Sequence, residues 1–279
     1  MILSGKARLA GVLGWPVGHS RSPRLHGWWL DRYGVDGAYV PLAVRPDDLA
    51  AVVAALPRMG FVGANLTVPH KEAALALVDE VDSLAARIGA INTLVIRPDG
   101  GVEGRNTDAF GFLENLRRGA PGWRPDCGPA VVLGAGGAAR AVVAALAAAG
   151  VPEIRLANRS APRAEALAAD FGSAVRPVSW DERSAALDGA HLLVNTTTLG
   201  MAGQPPLDLD LAPLPAAALV NDIVYVPLET PLLAAARARG HRVVDGLGML
   251  LWQAAPGFEA WFGIRPDVTA DLRDFVLGG

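Results

Sequence analysis

The run VVLGAGGAAR at 131–140 places Gly134, Gly136 and Ala139 at G-x-G-x-x-G/A spacing, after an apolar run and before an alanine-rich one. Phosphate binding asks for this pattern. The first glycine permits a tight turn, the second lets a pyrophosphate approach the backbone, and a small third residue lets helix and strand pack closely. The free N–H groups opening the helix then face the anion. A tight turn in an alanine-rich core would look similar, so the flanking strand and helix carry the reading. NAD-binding folds usually place Asp or Glu roughly 20 residues further on, for the ribose hydroxyls. Here Asn158-Arg159-Ser160 begins 19 residues beyond Ala139, and Arg163 follows. Two guanidiniums and a hydroxyl suit a 2′-phosphate, because Arg offers a planar, permanently charged fork of donors. The expected cofactor is NADP rather than NAD. Asn195-Thr196-Thr197-Thr198 closes another apolar run. Such residues serve cofactors at strand ends and cap helices and turns equally well.

Nearer the N-terminus lie polar clusters with no local motif. Ser20 and Ser22 sit in a glycine- and proline-rich stretch. Asn65 and Thr67 end an apolar run, and Lys71 follows Pro69-His70. Asn92-Thr93 opens another run, and Asn106-Thr107-Asp108 closes the region. Hydroxyls and amides with one lysine and one aspartate suit a small polyhydroxylated, anionic ligand. By spacing alone Lys71 reads more readily as a surface lysine, and Asp108 as a helix N-cap.

Strands at 8–14, 38–41 and 62–67 must carry the first cluster. Helices are expected over about 24–33, with Ser22 as N-cap and Pro23 in the first turn, and over 47–56, 72–78 and 82–88. Residues 92–96 and 101–104 read as a hairpin turning at Pro98-Asp99-Gly100. From 109 onward, helices at 109–118, 138–149, 163–171 and 230–239 alternate with strands at 129–133, 153–157, 174–178, 191–194, 219–222 and 243–245. That alternation predicts a mainly parallel, doubly wound Rossmann-type sheet. The expected organisation is an α/β chain of two domains. One is an N-terminal α/β substrate domain of residues 1–108, joined by helices at 246–279. The other is a Rossmann-type NADP domain of residues 109–245.

The chain has 279 residues, 51% of them apolar and 19% charged, which excludes a disordered polymer. Its 32 glycines and 21 prolines foretell many turns. A net charge of −3 gives no basic footprint, so nucleic acid is not an expected partner. The longest apolar helix candidate, 141–149, is far short of the roughly 20 residues of a membrane span, and no targeting segment is evident. A cytoplasmic protein without a membrane partner is expected. The single cysteine, Cys127, fits a reducing compartment. The five histidines show no compact ligand spacing with it, so no metal is expected.

These residues also carry a resemblance. GHSRSPRLH at 18–26, GANLTVPHKEAA at 63–74, GAINTL at 89–94, GRNTDAFGF at 104–112, GAGGAAR at 134–140, NRSAPRAEALA at 158–168, NTTTLGM at 195–201 and DGLGMLLWQAA at 245–255 follow in order. Together they resemble the shikimate dehydrogenase family, the NADP-dependent oxidoreductases of aromatic amino-acid biosynthesis. The resemblance implies reversible reduction of 3-dehydroshikimate to shikimate by hydride from NADPH, with Lys71 and Asp108 as the acid–base pair. It assigns shikimate to Ser20, Ser22, Thr67, Asn92, Asp108, Tyr225 and Gln253. It assigns the cofactor to Gly134, Ala135, Gly136, Gly137, Ala138, Asn158, Arg159, Ser160, Arg163, Thr196, Ile223 and Gly246. A small-molecule substrate is implied; the sequence does not set the oligomeric state, and a monomer or homodimer is expected.

Three positions depart from the family pattern. His70 stands where phenylalanine is common, Ala109 replaces a frequent glycine, and Ile91 replaces valine. His70 either points away from Lys71 or bears on its proton. Relatives that oxidise quinate share much of the pattern, so a broad shikimate/quinate dehydrogenase is the alternative. A catalytically silent NADP-binding protein is a second alternative, disfavoured by the intact Lys71 and Asp108.

Overall fold

The computed structural model describes residues 2–278, which divide into two compact units. One comprises the chain up to Asp108 together with the stretch from Leu250 onward, and the other spans Ala109–Met249.

The first unit is built on strands β1 (Arg8–Gly14), β2 (Gly37–Ala43), β3 (Phe61–Leu66), β4 (Glu80–Val81), β5 (Thr93–Ile96) and β6 (Val102–Arg105). Its helices are α1 (Ser22–Arg32), α2 (Leu49–Ala55) and α3 (Ser83–Ile88). The sheet order is β2-β1-β3-β5-β6-β4. β1 runs parallel to β2 and β3, whereas β5 is antiparallel to both β3 and β6. Leu13, Ala64, Leu66, Ile91 and Leu94 form the core on one side, with Val53 and Leu56.

The second unit opens with α4 (Asp108–Gly119), whose first residue is the last of the first unit's leading stretch. Strands β7 (Ala130–Leu133), β8 (Ile154–Ala157), β9 (Val175–Val178), β10 (Leu192–Asn195), β11 (Leu219–Asp222) and β12 (Arg242–Val244) follow. They alternate with α5 (Gly137–Ala149), α6 (Ala161–Phe171) and α7 (Pro231–Ala238). The order is β12-β11-β10-β7-β8-β9, with every neighbouring pair parallel. All four residues of β7, β10 and β11 are buried, as strands covered on both faces must be; β7 is wholly apolar, and β10 and β11 begin apolar and turn polar only at their C-terminal ends. This is the doubly wound fold the alternation predicts.

The chain then enters α8 (Leu247–Phe262) and α9 (Ala270–Leu277). The boundary between units falls at Leu250, inside α8, rather than at residue 246. Arg8 donates to the Trp261 and Phe262 carbonyls, Trp261 Nε1 to the Leu94 carbonyl, and Trp29 Nε1 to that of Asp267. Trp29 is thus a core residue, while Trp28 is half-buried.

Local expectations change in three places. Ser22 is not the N-cap of α1. Arg21 holds that position, and Ser22 is the first helical residue. The Ser20 hydroxyl accepts the Ser22 N–H at 3.3 Å, so a serine turn meets the first orphan donor and the helix starts early. Residues 73–77 form a 3₁₀ helix, not an α-helix, and Pro46–Asp48 is a 3₁₀ turn ahead of α2. Asp82 and Thr230 cap α3 and α7 with their side chains, as their residue types favour.

Candidate active site

In the first unit, three strand ends bring the polar clusters together. Leu66 N–H donates to the Asn92 carbonyl, Asn92 N–H to that of Arg105, and Ile91 N–H to that of Lys71. The backbone after β3, before β5 and after β6 is therefore stitched into one platform. Lys71 Nζ donates to Asp108 Oδ2 at 2.5 Å. The lysine side chain is 16% exposed and the carboxylate 6%. The other oxygen, Oδ1, accepts Asn92 Nδ2 at 2.9 Å. Both carboxylate oxygens are thus engaged by side chains, and Asp108 serves the site rather than only starting α4.

Asn92 is the hub. Its Nδ2 also reaches Thr107 Oγ1 at 2.9 Å and Gln253 Oε1 at 3.1 Å. Its Oδ1 accepts from Thr107 N–H at 2.8 Å and from Thr93 Oγ1 at 3.0 Å. Gln253 enters from α8, 161 residues beyond Asn92 and 146 beyond Thr107. Buried polar groups with all partners supplied form a rigid set, and loss of one partner strands the others.

Ser20 and Ser22 sit together where β1 hands over to α1. Thr67 follows β3 beside Gly14, where an added Cβ would meet Thr67 Cγ2 at 2.5 Å. His70 is buried, and its Nε2 bonds the Val44 carbonyl at 2.9 Å. The ring is so anchored just past the end of β2, by a bond that phenylalanine could not make.

In the second unit, Gly134 has φ +109°, and an added Cβ would lie 2.5 Å from Thr196 Oγ1. Only glycine suits that turn. Gly136 is the N-cap of α5, and a Cβ there would enter open space. An approach to the backbone at a helix N-terminus is what a pyrophosphate requires. Ala135, between the two glycines, is buried, and Gly137 and Ala138 open the first turn of α5. Arg159, Ser160 and Arg163 are exposed at the start of α6, and Asn158 Nδ2 donates to the Ser160 carbonyl at 3.0 Å, shaping that turn. These residues fit a dinucleotide with a phosphorylated ribose. Gly246 approaches the Ile223 carbonyl so closely that a Cβ would fall 2.2 Å from it.

Asn195 proves to be a latch. Its Oδ1 accepts from Thr197 N–H and Oγ1, and its Nδ2 donates to Asp222 Oδ1 at 3.0 Å. Asp222 also accepts from Val224 N–H and Thr230 Oγ1. Burial pushes its carboxyl up to about 6 against these three donors. It fixes the turn that carries Ile223 and Tyr225. Tyr225 therefore belongs to the second unit, apart in the chain from the other residues assigned to shikimate. Sequence reasoning passed over Asp222 in this role. The signal was an ionisable residue ending a strand that begins apolar and is followed by no charge of opposite sign nearby in sequence, Leu219-Val220-Asn221-Asp222. Among the described residues, no group of three or more His, Cys, Asp or Glu could hold a metal ion, and no helix is long and apolar enough to cross a membrane.

A parallel sheet with a glycine turn at its first strand end, in a chain whose other unit pairs a half-buried lysine with a buried carboxylate, defines a nicotinamide-nucleotide oxidoreductase. Comparison with known proteins narrows this. Residues 12–94 match the shikimate dehydrogenase substrate binding domain, 126–200 shikimate/quinate 5-dehydrogenase, and 246–273 the shikimate 5′-dehydrogenase C-terminal domain. The chain is 71% identical to the shikimate dehydrogenase (NADP(+)) of Paramagnetospirillum magneticum, over 99% of this chain and 100% of that one. It superposes on shikimate 5-dehydrogenase from Thermus thermophilus, solved with NADP(H) and shikimate, with TM-score 0.86 and 41% identity, covering 96% of this chain and 98% of that one. Quinate dehydrogenase from Corynebacterium glutamicum, solved with NAD, gives 0.90 and 34%, covering 98% and 99%. The chain belongs to the shikimate dehydrogenase family.

Proposed function

We propose that this protein is an NADP-dependent shikimate dehydrogenase, reversibly reducing 3-dehydroshikimate to shikimate with Lys71 and Asp108 as its acid–base pair. The observation that carries the reading is the contact of Lys71 Nζ with Asp108 Oδ2, with Asn92 on the other carboxylate oxygen. NADPH, when bound, supplies the hydride. As the carbonyl oxygen gains charge, the Lys71 ammonium offers both a proton and electrostatic stabilisation. In the oxidative direction, neutral Lys71 accepts the hydroxyl proton. Asp108 accepts a hydrogen bond from Nζ and so fixes the direction in which the lysine presents its remaining donors.

Ser20, Ser22 and Thr67 are hydroxyl donors suited to a carboxylate, which removes the need for an arginine there. Asn92 and Gln253, which the family pattern assigns to shikimate, reach it by exchanging bonds of this amide network for bonds to the ring hydroxyls. Arg159 and Arg163 suit the 2′-phosphate, and Gly134–Ala138 with the start of α5 suit the pyrophosphate. Thr196, Ile223 and Gly246 frame the same strand-end edge of the second sheet. The chemistry requires no metal or membrane partner, and a cytoplasmic setting suits the water-soluble substrates.

Formation of NADPH with shikimate and with quinate, and of NADH when NAD replaces NADP, tests the reading. Turnover with shikimate and NADP at least tenfold above the other three combinations is expected. Equal turnover on quinate would instead make the enzyme a broad shikimate/quinate dehydrogenase, and no turnover on either would refute the reading.

A further inference from the structure

Tyr39, on β2, has its ring in an aromatic box. One face stacks on the His26 imidazole at 4.0 Å with 12° between planes, and Trp261 lies at 5.9 Å. Its hydroxyl leaves the box at a polar edge and donates to Asn65 Oδ1 at 2.6 Å. The Ser22 hydroxyl interacts with the same phenol. Burial lifts the Tyr39 phenol well above its usual range, so the O–H is a permanent donor at neutral pH.

From that donor the hydrogen bonds run in one direction. Tyr39 gives its proton to Asn65 Oδ1, so Asn65 turns its Nδ2 toward Thr93 Oγ1 at 3.1 Å and the Asn92 carbonyl at 3.0 Å. Thr93 Oγ1 directs its own proton to Asn92 Oδ1 at 3.0 Å. Asn92 Nδ2 then donates to Asp108 Oδ1, whose partner oxygen holds Lys71. Each link receives before it gives, and the series ends on a carboxylate, which can only accept. Hydrogen bonds so aligned reinforce one another. Tyr39 stands at the head of this series, and its second polar neighbour, Ser22, belongs to the serine pair at the start of α1.

We infer that Tyr39 is a positioning residue for the substrate face. Its hydroxyl sets the orientation of Asn65, and thereby of Asn92, while holding Ser22 in register with them. The inference rests on the proposed function for its kinetic consequence, and on geometry alone for the hydrogen-bond series.

Tyr39→Phe is the test, because the ring stays in its box and only the hydroxyl is lost. Loss of a hydrogen bond that leaves buried partners unsatisfied should raise KM for shikimate about tenfold. The kcat should fall no more than about threefold, and KM for NADP should not move. The side-chain amide NMR signals of Asn65 and Asn92 should shift in the same variant. A double-mutant cycle with Asn65→Ala should show the two changes to be strongly non-additive. Unchanged amide signals overturn the series, as does additivity. An unchanged KM for shikimate in an active enzyme overturns the positioning role. So does a proportional loss toward both substrates with a lowered Tm, which marks mere structural damage. If the parent protein turns over neither shikimate nor quinate, the proposed function falls, and the amide spectrum and a stability-based cycle still decide the series.

Discussion

Lys71→Met removes the ammonium from the Lys71–Asp108 pair while keeping an unbranched side chain. The Asp108 carboxyl is 6% exposed and loses its cation, retaining the Asn92 bond at 2.9 Å. Breaking one side of a buried pair costs about 3–5 kcal/mol. The remaining Asn92 donor places this case near the lower end, about 3 kcal/mol. Urea unfolding at neutral pH measures that loss. Turnover should fall by roughly 10²–10⁴, the usual contribution of a positioned proton donor. NADPH binding, followed by nucleotide fluorescence, should be retained. The double variant Lys71→Met/Asp108→Asn replaces the stranded charge with a neutral amide that still accepts from Asn92. It should recover at least half of the lost stability and none of the lost activity. Near-normal kcat in Lys71→Met would refute the assigned chemistry. Failure of Asp108→Asn to restore stability would refute the claim that an unpaired charge is what the first variant leaves behind.

Arg159→Ala should raise KM for NADP about 10–100-fold and leave KM for NAD unchanged, since a charge-assisted bond is worth about 1.5–3 kcal/mol. An unaltered NADP-to-NAD preference in steady-state kinetics would remove the phosphate clamp. His26 gives a pH signature. Burial lowers its pKa from 6.5 to about 3, against a weaker upward pull from Asn65. The folded state therefore holds a neutral ring that the unfolded chain protonates below pH 6.5. Stability from this residue is complete above pH 6.5 and is lost as pH falls toward 3, by about 1.4 kcal/mol per unit. Over the first two pH units below that point the loss is roughly 3 kcal/mol. His26→Phe should lose that much less over the same interval in urea unfolding, and equal slopes would show the ring to be uninvolved.

The second unit was legible because each of its rules is local. Apolar strands, a glycine turn and an alanine-rich helix follow one another within about 20 residues, and the fold repeats the strand–helix step. In the first unit the elements were legible but their finer chemistry was not. Ser22 satisfies every rule for an N-cap, yet Ser20 answers its N–H, a choice between two similar side chains that spacing cannot make. Tyr39 in Ala-Tyr-Val-Pro reads as an ordinary strand aromatic, and its polar role depends on Asn65 across the sheet. His70 left two options open beside Lys71, and its bond to the distant Val44 carbonyl lies outside any local spacing rule. Asn92, Asp108 and Lys71 were picked out by family pattern. That Asn92 joins them all, with Gln253, depends on contacts between residues far apart in sequence.

The substrate-handling unit is assembled from two stretches of chain with the nucleotide unit inserted between them. During synthesis on a ribosome, the first sheet emerges long before its closing partners. Asn92 waits 161 residues for Gln253, and Arg8 waits 254 for Phe262. The glycine-turn unit can condense in the meantime from neighbours already translated, while the earlier sheet holds its Trp261 berth open at Gly63. Completion of the Asn92 hydrogen-bond network is therefore tied to the end of translation, and a nascent chain stalled before Leu250 lacks Gln253 and most of α8.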